Sequence, residues 1–214
     1  MSVPKSPTIV LLGLMGTGKS SIGRALATRM GGSYSDSDEF IQRTTGETAR
    51  ELLADEGVAA VHGAERAHLL AELGAIHDGV RVVGAAASVV DTAEVRAAIR
   101  QSGARVVWLR ARLDTLVRRF EDAVQGGHRP RYDNDLDAMF REQIGQRARW
   151  YESLADVTVD TERCRCGNDR GTSRERHDPR PDRRALTPFA VTHSAAASPH
   201  PQVRSPRHRS ARRA

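Results

Sequence analysis

Eight residues near the N-terminus, Gly13-Leu14-Met15-Gly16-Thr17-Gly18-Lys19-Ser20, have the types and spacing to hold phosphate. They meet the pattern G-x-x-x-x-G-K-S/T at every fixed position. Glycines let successive backbone N–H groups curl around an anion at the positive end of a helix. The lysine brings a point charge to β- and γ-phosphates, and the serine hydroxyl is a ligand for Mg²⁺. The expected nucleotide contacts are Gly13, Gly16, Thr17, Gly18, Lys19, Ser20 and Ser21, with ATP and Mg²⁺ as cofactors. A glycine-rich turn with a chance lysine is the alternative. Its context argues otherwise, because an apolar run precedes it and Ile22, Leu26 and Met30 recur behind it at helical spacing.

A phosphate loop does not separate kinases from ATPases, so a second group of residues has to. The run Val106-Val107-Trp108-Leu109-Arg110 ends in arginine, not acid. Carboxylates stand instead at Tyr34-Ser35-Asp36-Ser37-Asp38. Alternation along an extended segment predicts Asp36 and Asp38 on one side, at the carboxyl edge of the sheet.

These residues need a frame, and the hydrophobic pattern predicts one. Extended pieces are expected at Thr8–Leu12, Ser33–Asp36, Val80–Val83, Arg105–Leu109 and Asp156–Asp160. Between them, Thr48-Ala49-Arg50-Glu51 is a capping-box signature, Val58–Leu73 reads as a helix, and so does Asp91–Gln101. Leu113, Leu116, Val117 and Phe120 mark another amphipathic helix, and Leu136–Leu154 a long one. Strands alternating with helices predict an α/β protein with a five-stranded parallel sheet in three α/β/α layers. The polar stretch Glu121–Asp135, with Gly126-Gly127 and Pro130, is expected to be a lid loop.

The 214 residues divide by charge. Residues 1–162 hold 20 Lys and Arg against 23 Asp and Glu, a net of −3, whereas residues 163–214 hold 13 against 4, a net of +9. Six of the nine prolines lie in that second segment, which has too little apolar surface to offset ordering entropy. The expected organisation is one P-loop domain over 1–162 and a disordered basic tail over 163–214. With the basic excess confined to the tail and no aromatic platform, no specific nucleic-acid partner is expected. Both cysteines, Cys164 and Cys166, fall in the tail, and no apolar run reaches membrane-spanning length. A reducing, cytoplasmic setting, no membrane partner and a monomer are the expectations.

With these residues in view, the chain resembles the shikimate kinase family over roughly residues 8–161. The resemblance rests on the phosphate loop, Asp36 and Asp38, Arg129-Pro130, Arg147-x-x-x-Tyr151 and Val159-Asp160-Thr161, all in family order. It implies that Asp36 assists Mg²⁺ with Ser20, and that Asp38 orients or deprotonates the attacking hydroxyl. Arg129 would close over the phosphates, and Arg119 would flank the adenine. Arg147 would hold a substrate carboxylate, with Ile144 and Tyr151 on the same helix face. A structural ion pair is the other reading of Arg147, a helix N-cap that of Asp38, and an exposed helix-end arginine that of Arg119. Lys19, Asp38 and Arg129 form the catalytic set.

Two family positions differ. Where the family has a second carboxylate-binding arginine in G-x-x-F-R-x-x-E, the chain reads Gly57-Val58-Ala59-Ala60-Val61-His62-Gly63-Ala64-Glu65. Exchanging one bidentate charge-assisted contact for His62 costs about 1.5 to 3 kcal/mol. The family's glycine triplet appears as Gly84-Ala85-Ala86, which is expected to send two methyl groups into the substrate pocket. The expected substrate contacts are Asp38, His62, Gly84, Ala85, Ala86 and Arg147. The implied activity is ATP-dependent phosphorylation of shikimate to shikimate 3-phosphate, in the pathway to aromatic amino acids. A kinase of another hydroxy acid such as gluconate, and a nucleotide-binding paralogue without catalysis, are the alternatives.

Overall fold

The computed structural model describes residues 7–125 and 135–162. β1 (Thr8–Leu12) leads through the glycine-rich loop into α1 (Lys19–Arg29), and β2 (Ser33–Asp36) into α2 (Ser37–Thr45), α3 (Ala49–Glu56) and α4 (Val58–Gly74). β3 (Arg81–Gly84) is followed by a 3₁₀ segment (Ala87–Asp91) and α5 (Ala93–Ser102). β4 (Arg105–Arg110), α6 (Leu113–Gln125), α7 (Leu136–Leu154) and β5 (Val157–Asp160) complete the fold.

The five strands are parallel in the order β2-β3-β1-β4-β5. β1 is central and fully buried, so it reads as an unbroken apolar run. Its side chains alternate between two cores. Val10 and Leu12 join Val83, Val106, Leu69, Phe120, Phe140 and Tyr151 on the face carrying α4 to α7. Ile9 and Leu11 join Val82, Leu109 and Ala27 on the face covered by α1. This alternation produces the three layers that the pattern of elements predicts. From β1 the chain crosses to β2 and returns through β3 on one side before it crosses to β4 on the other, so a crevice opens at the carboxyl end of β1.

Three expectations are corrected. α6 continues to Gln125, because Val124 extends the stripe of Val117 and Phe120 onto the core. The predicted loop therefore does not begin at Glu121. Its other end, Asp135, caps α7 by accepting from the N–H groups of Asp137 (3.0 Å) and Ala138 (3.2 Å). Residues 126–134, with Arg129 and Pro130, lie outside the described residues, as does the predicted tail 163–214. The helix expected over Asp91–Gln101 is split into the 3₁₀ segment and α5, with Asp91 ending the first. Finally, α2 replaces extended chain after Asp36. Asp36 is its N-cap, with φ −137°, and Ile41 and Ser37 are its buried positions.

Candidate active site

The phosphate loop is built by close approach. Gly13 has φ +145°, and a Cβ there would run into the Leu109 carbonyl of β4. Gly16 (φ +85°) and Gly18 (φ +87°) also occupy the region that side chains disfavour. Thr17 is buried, and its hydroxyl donates to the Leu14 carbonyl at 2.8 Å, so its side chain braces the loop. Thr17 is thus available to a nucleotide through backbone only. Lys19 Nζ spans the loop, donating to the carbonyls of Gly13 (2.9 Å) and Leu14 (3.0 Å).

α1 begins with no side-chain cap and no acidic residue in its first turn. Two of the helices that follow start differently: α2 carries Asp38 and Glu39 in its first turn, and α3 has a complete Thr48–Glu51 capping box. An N-terminus kept clear of carboxylates, with Ser20 and Ser21 exposed on it, is suited to an external anion.

Asp36 stands opposite Gly84 in the β2–β3 register. Its carboxylate accepts a long bond from Glu39 N–H (3.5 Å) and faces Arg24 at 3.6 Å, with 13% of the side chain exposed. These weak contacts leave the oxygens capacity for a hard cation, and Ser20 adds a hydroxyl oxygen. No group of three or more His, Cys, Asp or Glu gathers among the described residues. One carboxylate and one hydroxyl are hard oxygen donors, the chemistry that Mg²⁺ takes beside phosphate oxygens and water. Asp38 lies in the first turn of α2 and is exposed. It shares the carboxyl edge with Asp36 through the helix start, not through strand alternation, and the cap role belongs to Asp36.

Tyr34 was not marked by the sequence. Its hydroxyl is buried with no hydrogen-bond partner among the described residues, and burial pushes its pKa up to about 12. The ring packs so closely on Gly23 and Gly84 that a Cβ at either would collide with it. Gly84 is therefore demanded by Tyr34.

The residues expected at the acceptor lie on α4, in the segment after β3, and on α7. His62 is half-buried on α4, and Glu65, one turn later, accepts from the Ser88 hydroxyl at 2.6 Å. Ala85 is 1% exposed and belongs to the core, while its N–H donates to the Leu11 carbonyl at 3.1 Å. Ala86 is half-buried and packs on the same core. The expected intrusion of two methyl groups into a pocket is thus corrected for Ala85, whose methyl points into the protein interior.

Arg147, Ile144 and Tyr151 do share a face of α7, with Tyr151 buried and its hydroxyl donating to the Ala87 carbonyl at 3.0 Å. Burial pushes the Tyr151 phenol well up. Arg147 has a partner that the sequence did not reveal: Asp91 takes Nε at 3.1 Å on both oxygens and Nη2 at 2.8 Å, and Gln143 takes Nη1 at 3.1 Å. Arg119 is not an exposed helix-end residue. It donates to the Gly16 carbonyl (3.0 Å) and to Thr161 Oγ1 (3.1 Å) and O (2.7 Å), tying the phosphate loop to the chain after β5.

Comparison with known proteins agrees with this arrangement. The shikimate kinase family model matches residues 15–166. The shikimate kinase of Streptomyces coelicolor is 36% identical over 157 residues, which are 73% of this chain and 87% of that one. That of Streptomyces avermitilis is 33% identical, covering 73% and 86%. The structure of Acinetobacter baumannii shikimate kinase in complex with shikimate superposes with a TM-score of 0.65 at 25% identity, covering 75% of this chain and 87% of that one. The match takes in the phosphate loop from Met15, Asp36, Asp38 and the α7 arginine within one continuous span, and by that span the chain belongs to the shikimate kinase family.

Proposed function

We propose that the chain transfers the γ-phosphoryl group of ATP to a hydroxyl of shikimate, giving shikimate 3-phosphate and ADP. The observation that carries this reading is the glycine-built phosphate loop with Lys19 lying across it at the acid-free, uncapped start of α1. Family membership supplies the acceptor, a small cyclic hydroxy acid.

In this reading the loop N–H groups and Lys19 hold the β- and γ-phosphates, and Arg119 keeps the loop seated through Gly16. Ser20 and Asp36 would hold Mg²⁺, which when bound offsets phosphate charge. Asp38 accepts the proton of the acceptor hydroxyl, whose oxygen bonds to the γ-phosphorus while the bond to the ADP oxygen breaks. By the family resemblance Arg129 would add positive charge at the phosphates, and Arg147 fixes the acceptor carboxylate. The enzyme works as a cytoplasmic monomer.

His62 and the engaged Arg147 support one second reading, phosphorylation of a different hydroxy acid such as gluconate. Coupled ADP release with Mg-ATP tests both, run with shikimate, with gluconate and with no acceptor. Shikimate-dependent turnover is expected. Release with gluconate alone would favour the second reading, and ATP binding without acceptor-dependent release would remove both.

A further inference from the structure

The guanidinium edge of Arg147 is already filled by a carboxylate, and the chain supplies it. Nε and Nη2 meet the two oxygens of Asp91 in a bidentate pair at 2.8 to 3.1 Å, and Nη1 is held by Gln143. This is the geometry in which an arginine recognises a free carboxylic acid. The partners are unequally placed, since 12% of the Arg147 side chain is exposed against 44% for Asp91. If the pair opens, Asp91 turns into water at small cost, whereas Arg147 stays half-buried and needs another anion. Burial disfavours the arginine charge, and the hydrogen bonds and charge of Asp91 outweigh it. Asp91 also ends the 3₁₀ segment that directly follows Gly84-Ala85-Ala86, so it lies on the acceptor side of the molecule.

We propose that Asp91 is a built-in competitor for the acceptor's carboxylate: it occupies Arg147 in the resting enzyme and thereby sets how strongly a carboxylated acceptor is preferred over an uncharged one. The proposal rests on the role given above to Arg147. Binding of an acid then exchanges one carboxylate for another on the same guanidinium, so little affinity is gained from the charge. His62 adds no second permanent cation where the family has an arginine, so the competition is felt in full.

The test uses the full chain, with Asp91→Asn as a neutral replacement of the same shape and Asp91→Ala as a second variant that cannot hold Arg147. KM is measured for shikimate and for its uncharged carboxamide at saturating Mg-ATP, and shikimate binding is measured by calorimetry. Removing the charge is expected to lower KM for shikimate about tenfold and leave KM for the carboxamide unchanged, because only the acid competes for the charge-assisted pair. A purely structural Asp91 would move both acceptors together, and that result, or an unchanged acid-to-amide ratio, overturns the proposal. Wild-type turnover separately tests the acceptor assignment. If wild type does not turn over shikimate, tighter binding of shikimate by the two variants still supports the competitor role, and no gain in either overturns it.

Discussion

Lys19 lies across the mouth of its own loop, bonded to the carbonyls of Gly13 and Leu14. Nucleotide binding has to exchange these neutral acceptors for phosphate oxygens, a stronger charge-assisted pairing. Lys19→Ala is therefore expected to lower kcat/KM about 100- to 1000-fold, as loss of one aligned electrostatic donor does. Its melting temperature should stay near that of wild type, since Thr17 and Arg119 brace the loop independently. Turnover within a few-fold of wild type would remove Lys19 from the site. Gly84 supports a different kind of prediction. A methyl group there would strike the Tyr34 hydroxyl first, with the rest of the ring farther away. Gly84→Ala should cost about 1 to 3 kcal/mol of stability as overpacking. Adding Tyr34→Phe should recover most of it, because that change removes the clashing oxygen and a buried polar atom without a partner. Chemical denaturation of the four proteins measures the coupling, and additive effects would mean that Tyr34 does not set the need for glycine.

At the scale of elements, β2 and β3 are pinned to α4 by a buried polar network. Ser35 and His68 Nε2 lie 2.7 Å apart, and Arg81 Nε donates to Glu72 at 2.8 Å. Burial holds the His68 pKa below its ordinary value. Glu72 is also held low, because burial raises its pKa but the Arg81 and Ser35 hydrogen bonds and the Arg81 charge outweigh that. Both groups thus bind fewer protons folded than unfolded. Stability should fall as pH drops below about 6.5, where unfolded histidine protonates, and fall further below about 4.5. Thermal melts from pH 8 to pH 4 check this, with His68→Gln expected to flatten the slope between pH 6.5 and 5. An unchanged slope in that variant would place the titration elsewhere. Arg81→Met should cost about 3 kcal/mol near neutral pH by leaving Glu72 buried without its cation. The elements themselves were largely readable from apolar periodicity, and the Thr48 capping box is present as its residues predict. α2 was readable in another sense: Asp36 with Glu39 three residues later marks its start and Gly46 its stop. Over the three residues Asp36–Asp38, however, the run is too short for its periodicity to separate a strand from a first helical turn, and only the cap distinguishes them. Asp91 could not be read at all, since it meets Arg147 across 56 residues of sequence through the packing of α7 on the 3₁₀ segment.

For the whole molecule, α4 to α7 cover one face of the sheet and α1 covers β1 to β3 on the other, and the C-terminal end of residues 7–162 is tied to β4 and α6. Arg119 of α6 holds Thr161, Arg112 N–H donates to Glu162 at 2.9 Å, and Thr161 N–H donates to the Arg110 carbonyl at 2.9 Å. The sequence beyond is dominated by Arg, Pro, Ser and Ala, with a net charge of +9 over 163–214 against −3 before it. Such a division predicts that catalysis and polyanion binding separate at one cut. A chain ending after Glu162 is expected to keep the cooperative melt and the acceptor-dependent turnover of the full protein. The full protein should be retained on DNA at low salt and released as salt rises, since phosphate contacts by Arg and Lys exchange with counterions. The shortened chain, acidic overall, should pass through at every salt concentration. Loss of folding on truncation would mean that residues after Glu162 complete the core, and the family match through residue 166 locates where to restore them first. Equal DNA retention by both chains would instead place a basic surface on the folded body, against its net charge.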